Sequence, residues 1–497
     1  MIATRAQTSH LDVAGVLRPS GSLDVARALR PYDGVLDARR AAHLLRRAGF
    51  GATPDELRSF TGMAAGDAVE RLVRFPSTNA LPAPENVYDP STLLSQYGPR
   101  GLRDLSRDAR RQLFKQVRRQ EVRSILSLQL WWLNRMLATP APLQEKMALF
   151  FHGHFTTAAI QKGVSPAMAY GQNELFRRYA LGNLRELTRA VSKDPAMLLY
   201  LDNALNVASH PNENYARELM ELFTLGVDHY TEDDVREAAR AWTGWRVIRI
   251  TGQSFFAPRL HDDGTKTFLG RRGNFDGDDV VNVIFAKPQC ARFFAASLLG
   301  LFVYDNPEPE LVDGVAEALQ RHDYELAPVV SALLRSNVFY SQRAYRALVK
   351  GPAEFVVGTY KALGVPTIGR SALPAMRAMG QILFYPPNVA GWPGGENWLT
   401  SQMMIARQNF LAGLVNAQIM GASSWLNGIP MDPARATHAL VDALLQDDAS
   451  PASYAQLKGY LMGEGTSALA MLGVENFPER IHGAAYLTMA MPAFQLR

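Results

Sequence analysis

Apolar residues recur at i, i+3 and i+4 spacing along most of this chain, and that spacing predicts helices. In LQEKMALFF, residues 143–151, the pattern runs up to Gly153, where a helix is expected to stop. Residues 174–191, ELFRRYALGNLRELTRAV, repeat it. So does ENYARELMELFTLG from Glu213, with Asn212 ahead of it as a cap and Gly226 behind it as a stop. EDDVREAARAWTGW, from Glu232, carries acids in its first turn, where the helix dipole favours them. At Thr53-Pro54-Asp55-Glu56, a threonine cap, a first-position proline and a third-position glutamate spell a capping box. Further helices are expected at 279–300, 308–320, 325–335, 343–363, 371–381, 400–420 and 434–446. The predicted fold class is mainly α. A large single-core helical domain covers 38–497, and the N-terminal extension 1–37 is expected to be partly irregular.

The pattern breaks in three places. Between residues 245 and 273, WRVIRITGQSFFAPRLHDDGTKTFLGRRG alternates β-branched and aromatic residues with turn signals. Asp263-Gly264 is a strong hairpin dipeptide, so a small β-hairpin insertion is expected there. Residues 384–398, FYPPNVAGWPGGENW, are too rich in proline and glycine for regular structure. Residues 76–101 read as another loop. No internal repeat or low-complexity tract is visible.

Composition narrows the class. A chain of 497 residues, 47% hydrophobic and 20% charged, can bury a large core without disulfides. Its single cysteine, Cys290, reads as a core thiol rather than a reactive one. The net charge of +5 is small, but residues 107–123 carry six arginines and Lys115. A basic amphipathic helix there suits an anionic surface or a plain solvated face. No nucleic-acid module accompanies it, so no nucleic acid is predicted as partner. FFAASLLGLFVY, from Phe293, is too short to span a bilayer. The first 31 residues show no signal-like apolar run, so a cytoplasmic location is expected, with export left open.

Candidate chemistry starts with FFHGHF, where His152 and His154 flank one glycine. Side chains two apart on a helix diverge by about 200°, so a helical pair cannot chelate. A helix that ends near His152, with Gly153 left-handed, would swing both rings to one side and suit zinc or iron. The alternative is a helix-end histidine beside one packed among phenylalanines. In NENYARELMEL, Glu218 and Glu221 share a helical face, a spacing used for metal binding or proton transfer. The competing account is an ion-pair ladder, Glu213 to Arg217 and Arg217 to Glu221, which leaves Glu218 over. His261, Asp262, Asp263 and Lys266 could face a site or form a polar turn. NFDGDD fails as a calcium loop and fits a helix cap near Asp279. Trp392 and Trp398 could stack on a sugar or pin irregular backbone. There is no HExxH, Walker A, GxGxxG or GxSxG motif.

HLLRRAGFGATPDEL, LQEKMALFFHGHF, DPAMLLYLDN, the long NENYARELMELFTLGVDHYTEDDVREAARAWTGW, HDDGTKTFLG, PPNVAGWPGGENWL and PAFQLR stand in one order along residues 38–497. Together they resemble the bacterial family of domains of unknown function numbered eighteen hundred. The resemblance implies no assigned activity. It does imply a neighbour: members are often encoded beside sulfatase-like proteins, frequently with export signals. This chain departs from the pattern in lacking a visible signal, and in having phenylalanine where many members place tryptophan before the first histidine. The family motifs fall on polar residues, which favours a site at His152 and His154.

Two readings follow. One is a metal-assisted enzyme, a hydrolase or oxidoreductase. It would use His152, His154 and His261 as ligands of a divalent metal such as zinc or iron, Glu218 or Glu221 as ligand or base, and Arg217 or Lys266 for an anionic substrate. The other is a non-catalytic helical scaffold or chaperone for a protein partner such as the sulfatase-like neighbour. In that case the polar motifs are internal networks.

Overall fold

Thr53 Oγ1 accepts the N–H of Glu56 at 3.1 Å, and the Glu56 carboxylate accepts the N–H of Thr53 at 2.7 Å. This closes the expected capping box over the helix Pro54–Phe60. Thr231 and Asp234 cap Glu232–Ala241 in the same way, and Asp276 with Asp279 caps Gly277–Phe285. NFDGDD is therefore a helix start. The computed structural model describes residues 23–75, 84–416, 419–464 and 477–497. Residues 1–22 of the N-terminal extension and 76–83 of the expected loop lie outside them.

Among the described residues the architecture is mainly α, with one contiguous apolar core and two small antiparallel sheets. Several boundaries differ from the periodicity. The run 174–191 breaks between Arg178 and Leu184, where the Asn183 side chain accepts the N–H groups of Arg185 and Glu186. The run 279–300 is two helices, because Pro288 opens the second, Pro288–Phe302. The helix expected from 343 begins only at Pro352. Residues 91–104 are helical, not loop, with a break at Gly98. The 32-residue helix Arg107–Ala138 exposes its basic first half and buries Trp132 in its second. No helix among the described residues is long and apolar enough to cross a membrane.

The single expected hairpin is two. Strands β1 (Trp245–Ile248) and β2 (Gln253–Phe256) pair with Trp245 opposite Phe256. Strands β3 (Lys266–Phe268) and β4 (Arg271–Gly273) pair with Lys266 opposite Gly273. The second reversal is at Leu269-Gly270, both with positive φ, not at Asp263-Gly264. The Asp-Gly step instead lies between the two hairpins, where the Gly264 N–H bonds back to the Asp262 carboxylate at 2.8 Å.

Candidate functional site

The histidine helix spans Pro142–His154 and runs straight through Gly153, whose φ is not left-handed. The expected swing of His154 back toward His152 therefore does not occur, and the two rings diverge. His152 is buried beside Trp132, Phe176, Phe384 and Trp392. Its Nε2 accepts the main-chain N–H of Phe384 at 3.0 Å, which places the ring proton on Nδ1. Burial pulls this imidazole down to about 3, so it stays neutral. His154 Nε2 donates to the carbonyl of Phe223 at 2.9 Å. Its ring sits among Phe150, Phe155, Phe223, Phe293 and Phe294. Burial draws it down to about 4 against the opposing effect of that bond.

The glycine between them serves packing. The backbone of Gly391 approaches the Gly153 carbonyl so closely that a Cβ there would enter the oxygen, and Trp392 lies over Gly153. Trp392 and the buried Trp398 pin the 384–398 loop to the helices beneath it. Phe384, at the head of that loop, holds a left-handed φ of 62°. Its N–H is held by His152, and its carbonyl accepts from Ala159 at 2.8 Å. Gln129 donates to the preceding carbonyl, Leu383, at 2.9 Å. A bulky residue in that conformation persists only where its surroundings impose it.

The acidic helix is Asn214–Glu221. Arg217 does not complete the expected ladder with Glu221. It forks onto Glu232 at 2.7 and 2.8 Å and reaches Glu213 at 3.2 Å. Glu221 instead accepts from Tyr230. Glu218 is half-buried, and among the described residues no hydrogen bond reaches its carboxylate. Burial and then Glu221 push its pKa above the usual range, against Arg217. The hydroxyl of Tyr200 is raised by burial, then by Tyr385 and Glu218. Asp202 pairs with Lys162 at 2.7 Å and accepts from Asn214, at the start of the acidic helix, at 3.5 Å.

The residues following β2 close on themselves. His261 Nδ1 lies 2.9 Å from the Thr243 carbonyl, and Asp262 takes the Arg240 guanidinium at 2.7 and 3.1 Å. The buried Lys266 ammonium donates to the carbonyls of Asp262 and Gly264. This is the polar turn of the alternative reading, clamped to the helix Glu232–Ala241.

His152, His154 and His261 are thus held by Phe384, Phe223 and Thr243, and the fold does not bring them together with Glu218 or Glu221. Among the described residues no three His, Cys, Asp or Glu side chains form a metal-holding group. With its Nε2 lone pair already used and Nδ1 protonated, His152 offers a metal no electron pair. No step is derived through a metal.

Periodicity missed the most buried carboxylate among the described residues. Glu145, on the inward side of the histidine helix, is fully buried and takes Arg135 at 2.6 Å, Arg177 at 2.6 and 3.0 Å, and the Trp132 indole at 2.9 Å. Its neighbour Lys146 pairs with Glu354. Both stand in LQEKMALFF, between the apolar positions whose spacing predicts the helix.

No curated protein and no solved structure matches the chain. A family model described as protein of unknown function, DUF1800, matches residues 43–496, and the chain belongs to that family.

Proposed function

We propose that the chain is a non-catalytic helical scaffold that binds a protein partner through the β1–β2 hairpin. The observation that carries this is the hairpin surface. Ile248 and Phe255, which share one face of the hairpin, are 42% and 44% exposed, and Leu260 is exposed in the segment that follows β2. Residues 245–260 include Arg246, Arg249 and Arg259 and no acid. Apolar anchors ringed by arginine suit an apolar protein surface with an acidic rim. The bonding of the histidines, Asp262 and Lys266 supports the same reading, since each is engaged inside the fold. The sulfatase-like neighbour that the family resemblance implies is the partner to try first.

The test is direct titration of that neighbour with the parent and with an Ile248→Ser/Phe255→Ser variant of unchanged melting temperature. Binding by the parent, at least tenfold weaker in the variant, is the expected result (about 1.4 kcal/mol). No binding by the parent, or equal binding by both, overturns it.

A second reading, an enzyme, is favoured by Glu218 alone: a half-buried carboxyl with raised pKa that acts on the Tyr200 hydroxyl suits proton transfer. Its metal-assisted form is tested by elemental analysis of protein purified without chelators, beside a His152→Ala/His154→Ala variant. Near-stoichiometric zinc or iron in the parent, lost from a folded variant, would reinstate it. A metal-free parent ends it.

A further inference from the structure

Two of the family-like motifs, HLLRRAGFGATPDEL and PAFQLR, meet in space. They enclose a cavity of about 50 Å³ against the helix Pro352–Leu363, lined by Arg46, Lys350, Glu354, Gln446 and Arg497. This is room for several waters or one small oxyanion.

The charges around it do not balance. Arg46, Arg47, Lys350, Arg407 and Arg497 are all at least nine-tenths buried. The one acidic side chain lining the cavity, Glu354, is already engaged by Lys146 and by Arg497 at 3.2 Å. Asp448 takes Arg346 at 2.8 Å. The other cations rest on neutral oxygens: Arg47 on the Ala344 carbonyl, Lys350 on the Phe494 carbonyl, and Arg407 on the Lys350 carbonyl and the Gln495 amide. Arg46 donates Nη1 to the Gln446 amide oxygen at 2.7 Å. Its Nε and Nη2, the edge of the guanidinium that grips oxyanions in a fork, are buried and have no hydrogen-bond partner. Tyr345 stacks 5.9 Å from that guanidinium but does not satisfy the edge.

Buried cations without counter-charge are costly, and an arginine fork left empty adds the desolvation cost of two donors. A bound anion would offset both. Lysine carries three donors, and only one of those on Lys350 is used by Phe494. We propose that this cavity binds a small oxyanion, a phosphate, sulfate or carboxylate group, through the Nε/Nη2 edge of Arg46 and the ammonium of Lys350. Burial, and then the neighbouring Arg46, Arg346 and Arg407, pull the Lys350 ammonium well below its usual range, which an anion would reverse. The cavity is separate from the hairpin surface, and the inference does not depend on the partner reading.

The experiment uses the full chain in chloride buffer, with inorganic phosphate, sulfate or acetate added at matched ionic strength. Calorimetric titration is expected to show one saturable site for at least one of the three, and the anion that binds names the chemistry. At saturating anion the melting temperature should rise by about 3 °C. Arg46→Gln should weaken binding at least tenfold, and Arg46→Lys, which keeps the charge but not the fork, should weaken it less. No saturable binding of any of the three to the parent overturns the proposal, as does undiminished binding in a folded Arg46→Gln. Should both variants fail to fold, hydrogen exchange of the parent decides. Slower exchange at residues 43–57 and 492–497 with the anion supports the site, and unchanged exchange there sinks it.

Discussion

His152 and Phe384, 232 residues apart in sequence, are joined by one bond in which the ring Nε2 accepts the main-chain N–H at 3.0 Å. The histidine helix thereby fixes the strained first residue of the 384–398 loop. His152→Ala removes the acceptor, leaves a buried N–H without a partner and opens a cavity between Trp132 and Trp392. The combined loss should be about 3–5 kcal/mol. His152→Gln, whose amide oxygen can take the same N–H, should recover part of it. Urea unfolding of the three proteins checks this. Equal midpoints for His152→Ala and the parent would show that the bond does not hold the loop.

The two glycines where this helix meets the loop should respond in opposite ways. A Cβ on Gly391 would enter the Gly153 carbonyl oxygen, at a φ of +80° that side chains rarely adopt. Gly391→Ala should therefore cost about 2–4 kcal/mol. A Cβ on Gly153 would meet only Trp392, at an ordinary 3.6 Å. Gly153→Ala should be neutral or stabilising by up to about 1 kcal/mol through helix propensity. Thermal unfolding of the pair separates packing at Gly391 from a turn requirement at Gly153, which the sequence alone suggests.

What could be read from the sequence was local. The box at Thr53 and Glu56 needs three residues and no tertiary contact, and it formed as spelled. The Asp-Gly step misled because the Asp262 carboxylate serves Arg240 as well as its own turn, while the true reversal uses Leu269, a residue that signals nothing left-handed. Pro288 and Pro352 did carry readable helix starts that the apolar rhythm overran. The histidines were legible as special residues but not in their role. Their partners are main-chain groups of distant segments, and no periodicity encodes those. Glu145 shows the same limit, since helical spacing separates faces without telling which polar face is solvated.

Glu145 makes that last point measurable. Burial alone would raise its carboxyl, yet Arg177 and Arg135 together hold it below the usual range, so it is charged and enclosed by cations. Glu145→Gln leaves Arg135 without its carboxylate and Arg177 with only the half-exposed Glu174. A loss of about 3–5 kcal/mol is expected, as for other broken buried pairs. A shift in urea midpoint worth less than about 1 kcal/mol would place this cluster among interactions that water can replace.

The buried titratable groups set a pH profile with two opposed slopes. His152 and His154, pulled down to about 3 and 4, stay neutral while the unfolded chain binds protons below pH 6.5. Their contribution is complete above that value and is lost as pH falls toward 3. Asp194 acts in the other direction. Burial raises its carboxyl to about 7, against hydrogen bonds from the Met197 N–H and Gln172. The native state holds a proton that the unfolded chain releases above pH 3.8, so this contribution fades as pH rises from 3.8 to 7. Asp194→Asn keeps an oxygen for both donors and removes the titration. Its stability relative to the parent should therefore climb through that window, by up to about 1.4 kcal/mol per pH unit, and level off above 7. Chemical denaturation of both proteins between pH 5 and 8 gives the difference directly. A flat difference would mean that Asp194 is ionised in the native protein, its charge carried by the helix start it caps.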